Sequence, residues 1–297
     1  MKLICADGHL ELANSLGKLL NAEVITPEHR LFPDGEHYYR LDGDFSNEDV
    51  VLLSHLHQPN EKAIGLLFLA GHLRDVGARS VGLVAPYLAY MRQDIRFKEG
   101  ECITSRYFAG LISNAFNYLV TIDPHLHRYH SLDEIYRIPN RALHATNLIG
   151  EYIKKMIPNA LIIGPDAESA QWAEGVAAAA QCEFLVFEKT RKGDRDVSVA
   201  MLDLSCYADA QPVLVDDIIS TGRTLVETAE GLVEAGLRPA ICIGVHPVLA
   251  EGAEITLNNP AIANWLSCNT IPHASNAIDV SYLLAPAIAA MMAEIIL

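Results

Sequence analysis

The chain has 297 residues, 51% of them apolar and 20% charged, with 19 Gly and 14 Pro, a composition that excludes a disordered or low-complexity chain and suits two compact domains of ordinary size. Against 37 Asp and Glu there are only 22 Lys and Arg, a formal charge of −15, which excludes a broad basic face for nucleic acid or for an anionic membrane. An anionic ligand therefore needs local help from a metal ion, a helix N-terminus or a few placed Arg and Lys side chains.

From the N-terminus, the chain meets Asp7 before an apolar run of signal-peptide length accumulates, so a cytoplasmic address is expected. Short β-branched runs at residues 3–6, 50–54, 81–85, 119–122, 161–163, 184–187, 213–215 and 241–245 read as strands. Between them lie helical spacings such as Leu66, Leu69, Ala70 and Leu73, which share one face, with Gly77 as a C-terminal stop. Alternating strand and helix implies a mainly parallel sheet covered on both sides. The rhythm breaks between residues 125 and 147, a stretch rich in His, Arg and Pro. We therefore expect two doubly wound domains in tandem, residues 1–144 and 145–297, with the last helix free to return to the first. Residues 282–297 are the most apolar stretch, but Pro286 and Glu294 interrupt them and they fall short of the roughly 18 apolar residues of a membrane span, so a buried helix is expected. Cys5, Cys102, Cys182, Cys206, Cys242 and Cys268 are far apart without a C-x-x-C pair, which reads as reduced thiols rather than a zinc or redox site.

One stretch carries more chemistry than the others. Residues 212–224 run from an apolar strand through the acidic pair Asp216 and Asp217 and the turn Ser220-Thr221-Gly222-Arg223-Thr224 into a helical segment at 225–235. Ligands of open α/β sheets sit beyond the carboxyl ends of strands, where a helix N-terminus offers free N–H groups to a phosphate. Ser220, Thr221 and Thr224 add hydroxyl donors and Gly222 lets the backbone come close, while Asp216 and Asp217 are suited to accept from the vicinal hydroxyls of a ribose. The run contains neither G-x-x-x-x-G-K-[ST] nor G-x-G-x-x-G, so it is neither a Walker loop nor a dinucleotide fingerprint. His125 and His127 alternate in an extended segment, but no third ligand at zinc spacing accompanies them.

The 212–224 run resembles the phosphoribosyl-binding loop shared by phosphoribosyltransferases and ribose-phosphate diphosphokinases. Two segments favour the second family. Phe32-Pro33-Asp34-Gly35-Glu36 and Arg92-Gln93-Asp94 are similar to its ATP-binding patterns F-x-D-G-E and A-R-Q-D, which the transferases lack. Asp34 and Glu36 can accept from an adenine amino group, and Arg92 and Gln93 can donate to adenine or phosphate. The resemblance continues to the C-terminal helix through Gly164-Pro165-Asp166, Glu188-Lys189-Thr190-Arg191, Gly244 to Leu249 and Cys268 to Pro272. It implies two domains of the phosphoribosyltransferase type, with Mg²⁺ near His125 and Asp166 and with Lys189 and Arg191 stabilising the charge of phosphoryl transfer. It also implies ATP and ribose 5-phosphate as substrates, phosphoribosyl diphosphate and AMP as products, a place in nucleotide biosynthesis, and a homo-oligomer built from dimers. Two departures stand out. Ser220 to Thr224 replaces the family's frequent D-T-A-G-T and is closer to the transferase form, and Ile95 stands where a basic residue is common. The alternatives are a nucleobase phosphoribosyltransferase and a catalytically silent regulatory relative.

Overall fold

The computed structural model describes residues 1–165, 170–186, 189–192, 196–199 and 204–296. The chain forms two compact units, Met1–Leu143 with Val280–Leu297, and His144–Asp279.

In the first unit, β1 (Lys2–Cys5), α1 (Leu10–Leu20) and β2 (Glu23–Ile25) are followed by an antiparallel pair, β3 (Glu28–Leu31) and β4 (His37–Arg40). Then come β5 (Asp49–Leu53), α2 (Ala63–Asp75), β6 (Ser80–Ala85), α3 (Thr104–Ala115), β7 (Tyr118–Ile122) and β8 (Asn140–Leu143). Among the described residues the main sheet has the order β2-β1-β5-β6-β7-β8 and is parallel throughout. Every residue of β5, β6 and β7 is buried, as the near-continuous apolar runs of those strands demand of a sheet covered on both faces. The expected stop after α2 forms: Gly77 takes φ +86° and the Ala78 amide donates to the Leu73 carbonyl at 2.9 Å, the bond that closes a left-handed helix cap.

In the second unit, α4 (Thr146–Met156), β9 (Ala160–Gly164), α5 (Ala170–Ala180) and β10 (Glu183–Val186) lead to a second antiparallel pair, β11 (Lys189–Lys192) and β12 (Asp196–Val199). Next are β13 (Gln211–Ile219), α6 (Arg223–Glu234), β14 (Ala240–Pro247), α7 (Ala253–Leu257), β15 (Ile262–Cys268) and β16 (Asn276–Ile278). The sheet order is β10-β9-β13-β14-β15-β16, again parallel. Leu161, Ile163, Leu214, Leu225, Ala229, Leu232 and Cys242 form its core on the α6 side. The last helix, α8 (Ser281–Ile296), belongs to the first unit and packs on α1.

The two sheets repeat one topology. In each unit the first strand of the main sheet pairs to an edge strand on one side and to the next long strand on the other. In each an antiparallel pair is inserted at the same step, β3–β4 between β2 and β5, and β11–β12 between β10 and β13. The segment with the Asp-Gly-Glu turn and the segment with Lys189 thus occupy equivalent places in the two halves.

Candidate functional site

The 212–224 run folds as its composition implies. β13 pairs with β14 through Asp216 opposite Gly244 and on to Ile219 opposite Pro247, and the chain then turns into α6. Asp216 and Asp217 close the carboxyl end of a central strand and are half-buried, whereas Thr221 and Thr224 are exposed. Asp216 shares the sheet face of Leu214 and Cys242. Burial and, after it, the Asp216 charge push the Cys242 thiol up to about 12, which removes it as a nucleophile. The Asp217 amide donates to Asp216 Oδ1 at 2.9 Å, and the Ser220 carbonyl accepts from the Ala250 amide at 3.1 Å, so both flanks of the turn are fixed. Gly222 is buried at φ +73° and caps α6, and the Arg223 amide donates to Thr221 Oγ1 at 3.4 Å. The first turn of α6 presents amides with no carbonyl inside the helix, next to three hydroxyls: a cradle for a dianionic phosphate in a chain that is strongly acidic overall.

In the first unit, Phe32, Asp34 and Glu36 lie at the exposed tip of the β3–β4 pair. The Phe32 amide donates to the Glu36 carbonyl at 2.8 Å and the Gly35 amide to the Phe32 carbonyl at 2.9 Å, which leaves the Asp34 and Glu36 carboxylates at a tight, projecting turn. On one face of the pair the Arg30 guanidinium lies 4.5 Å from the Phe32 ring centre and 4.2 Å from that of Tyr38, a cation held between two rings.

Arg92, Gln93 and Asp94 follow the carboxyl end of β6. Arg92 is exposed and Gln93 half-exposed. Asp94 differs: it is 3% exposed, its Oδ1 accepts from Arg128 Nη1 at 2.8 Å, and its carbonyl accepts from the Tyr129 hydroxyl at 3.0 Å. Its carboxylate thus anchors the segment to the loop that begins beyond β7. That loop carries His125 and His127, whose ring centres are 3.9 Å apart and nearly perpendicular, so alternation does bring the two imidazoles together. Lys189 and Arg191 lie on β11, described at the level of the backbone, with Val199 and Val197 as their register partners. Asp166 lies outside the described residues.

Residues 1–115 match the family profile of the N-terminal domain of ribose phosphate pyrophosphokinase, and residues 131–283 match that of the phosphoribosyl transferase domain. The ribose-phosphate pyrophosphokinase of Methanobrevibacter smithii is 31% identical over 287 residues, covering 93% of this chain and 95% of the relative. The protein of the same name from Methanothermobacter thermautotrophicus is 34% identical over 276 residues, with the same two coverages. The chain belongs to the ribose-phosphate pyrophosphokinase family. The fold agrees: the phosphoribosylpyrophosphate synthetase of Mycobacterium smegmatis superposes with a TM-score of 0.85 over 99% of both chains at 24% identity.

Family membership implies Mg²⁺, and the donor chemistry fits it. Among the described residues no group of three or more His, Cys, Asp or Glu side chains converges to hold a metal ion. In the first unit the expected donor is the half-exposed imidazole of His125. Such a sparse set suits a hard cation that keeps several waters and completes its shell with substrate phosphate oxygens. Sequence reasoning passed over Asp7, Ser54 and Lys62 in this family member; the signal available for Asp7 was its place directly after an apolar strand, where ligands of such sheets gather.

Proposed function

We propose that the chain transfers the β,γ-diphosphoryl group of ATP to the C1 hydroxyl of ribose 5-phosphate, giving phosphoribosyl diphosphate and AMP. The observation that carries this reading is the presence in one family member of a phosphate cradle at the start of α6 and an Asp-Gly-Glu hairpin tip at Phe32 to Glu36. A transferase that only consumes the diphosphate has no use for the second.

In this reading the 5-phosphate sits on the Arg223 to Leu225 amides and the Ser220, Thr221 and Thr224 hydroxyls, and Asp216 and Asp217 accept from the ribose hydroxyls. Asp34 and Glu36 accept from the adenine amino group, while Arg92 and Gln93 donate to the nucleotide. Asp94 contributes by holding Arg92 and Gln93 in place through Arg128. The C1 hydroxyl gives up its proton to solvent as its oxygen bonds to the β-phosphorus and the bond to the α,β-bridging oxygen breaks, and AMP leaves with that electron pair. Lys189 and Arg191 offset the charge that spreads over the transferring group, which is the main demand that phosphoryl transfer makes of a protein. His125 and Asp166 are the residues that would hold Mg²⁺, which would supply charge neutralisation.

The molecule in this reading is cytoplasmic and works as a homo-oligomer built from dimers. Among the described residues no helix is long and apolar enough to cross a membrane. In support of self-association, Ile64 and Phe68 on α2 and Tyr107 and Leu111 on α3 stand exposed at i, i+4 spacing. The test of function is AMP release that requires both ATP and ribose 5-phosphate, with Asp217→Ala weakening ribose 5-phosphate binding. Pyrophosphate release from phosphoribosyl diphosphate and a base, without ATP, sinks the proposal in favour of a nucleobase phosphoribosyltransferase. Inactivity with both substrates and Mg²⁺ supports a silent regulatory relative.

A further inference from the structure

In the order β2-β1-β5-β6-β7-β8 the chain moves to one side of β1 and then to the other, so the switch point of the first sheet lies between β1 and β5. Ligands of doubly wound sheets bind beyond the carboxyl ends of the strands at that point. In the second unit the equivalent junction, β9 with β13, bears the phosphate cradle. In the first unit it opens into a cavity of about 670 Å³, lined by Asp7 after β1, Ser54 after β5, Lys62 at the start of α2, and His29, His37 and Tyr39 from one face of the β3–β4 pair.

A polar group in this cavity is left incomplete. The Asp7 side chain is only 4% exposed. Its Oδ2 accepts from the Ser54 hydroxyl at 3.0 Å, and Lys62 Nζ lies 3.7 Å away. Its Oδ1 is buried with no hydrogen-bond partner among the described residues. A buried carboxylate oxygen without a donor is costly, and the cost falls when a ligand brings an N–H or O–H to it. Burial raises the Asp7 carboxyl above its usual range, against the opposing effects of Lys62, the Ser54 hydroxyl and His9.

The surroundings narrow the ligand. Lys62 is the cation at Asp7 and also donates to the His55 carbonyl at 2.9 Å, so it is already engaged on two sides. The chain after β5 has no counterpart of the Ser-Thr-Gly-Arg-Thr turn. A phosphate would therefore meet the charge of Asp7 without the hydroxyls of that turn, and an uncharged ligand is favoured. The wall opposite is aromatic: His29 packs on Tyr39 at 4.5 Å and 19° and on His37 at 5.1 Å and 23°. We propose that this crevice is a second ligand site, and that it takes an uncharged nucleoside whose ring lies against the imidazole and phenol wall while an amino or hydroxyl group donates to Asp7 Oδ1. It adjoins the nucleotide segment of the proposed reaction at Gly35, which lines the cavity, and otherwise uses the opposite face of the hairpin. His29, Leu31, His37 and Tyr39 lie on the cavity face of the hairpin, whereas Arg30, Phe32 and Tyr38 stack on the other.

The test is calorimetric titration of the full chain with adenosine, guanosine, cytidine and uridine, and with their 5′-monophosphates. Saturating ribose 5-phosphate and a non-hydrolysable ATP analogue are present throughout, so that the proposed reaction site is filled. We expect at least one nucleoside to saturate at one site per chain, with its monophosphate at least about tenfold weaker. In Asp7→Asn the side-chain oxygen stays on Ser54 and Lys62 and an amide N–H2 replaces the Oδ1 acceptor, so binding should weaken at least about tenfold while the thermal midpoint holds or rises. Tyr39→Leu, which removes the wall, should weaken binding similarly, and it decides the matter if Asp7→Asn does not fold. The proposal is overturned if no nucleoside binds more tightly than about 1 mM, if the monophosphate binds as well, or if neither variant changes the affinity. None of these results bears on AMP release, which stands or falls separately.

Discussion

Gly222 and Leu257 are fitted to each other: a Cβ on Gly222 would lie 2.8 Å from both Cγ and Cδ2 of Leu257, and Gly222 has a φ of +73°. Gly222→Ala therefore meets a steric and a backbone obstacle at the residue that starts α6. Unfolding in urea should show a loss of about 2 to 3 kcal/mol, of which the left-handed backbone supplies about 1. Adding Leu257→Ala should relieve the crowding between the two positions but not the backbone part. Ribose 5-phosphate affinity should fall in Gly222→Ala, because the amides of the first turn move with the cap. An unchanged affinity would separate the cap from the phosphate.

Asp94 belongs to a sequence pattern associated with ATP, yet its carboxylate is buried on Arg128 rather than offered to a ligand. Arg128→Ala removes its charged donor and should destabilise the first unit by about 1 to 3 kcal/mol, at the lower end because Arg128 is itself partly exposed. In a double-mutant cycle with Asp94→Ala the two losses should not add, with a coupling of about 1 kcal/mol. Both variants should raise the KM for ATP through displacement of Arg92 and Gln93. Strict additivity would mean that Asp94 acts independently of Arg128.

Most of the strands read from sequence are those whose apolar runs are buried on both faces; β10, a half-exposed edge strand, is an exception. Residues 50–54, 81–85 and 241–245 fall within two residues of β5, β6 and β14 at either end, because a covered parallel strand leaves no other use for consecutive Val, Ile and Leu. The short edge strands escaped notice for the same reason in reverse: β2 and β16 have three residues each, too few to show a period. The β3–β4 pair, Glu28–Leu31 with His37–Arg40, alternates aromatic and charged residues with hardly a buried position, so hydrophobic periodicity was silent there, although its turn was recognised as a motif. Of the site, the Gly222 cradle was legible because strand, acids, hydroxyls and helix are contiguous. The Asp7 cavity was not, since Asp7 and Ser54 come together only through the pairing of β1 with β5.

His55 is a buried imidazole held neutral. Burial first, and then the charge of Lys62, bring its pKa down to about 2 from 6.5, against the pull of Asp7, whose Oδ2 lies 3.3 Å from His55 Nε2. Between those values the unfolded chain binds a proton that the folded chain refuses, so stability is lost as pH falls below about 6.5, by up to about 1.4 kcal/mol per pH unit. Asp7 acts in the opposite sense, because its raised carboxyl takes up a proton in the folded state first. Urea midpoints measured from about pH 7 to about pH 5 should therefore decline, and His55→Gln should flatten that slope. A wild-type profile already flat over this window would contradict a neutral, buried His55.

Lys189 and Arg191 sit on β11, opposite Val199 and Val197, in the antiparallel pair that occupies in the second unit the place of the Asp-Gly-Glu hairpin in the first. If they stabilise charge on the transferring group, they act after both substrates are bound. Lys189→Ala should then lower kcat by at least about 10²- to 10³-fold while the affinity for ribose 5-phosphate stays within about twofold of wild type. The double variant with Arg191→Ala should lose less than the product of the two single losses, because both cations serve the same developing charge. A Lys189→Ala enzyme that keeps its kcat and loses only affinity would move Lys189 from the transition state to the ground-state complex, and the charge-offsetting role would pass to Arg191 alone.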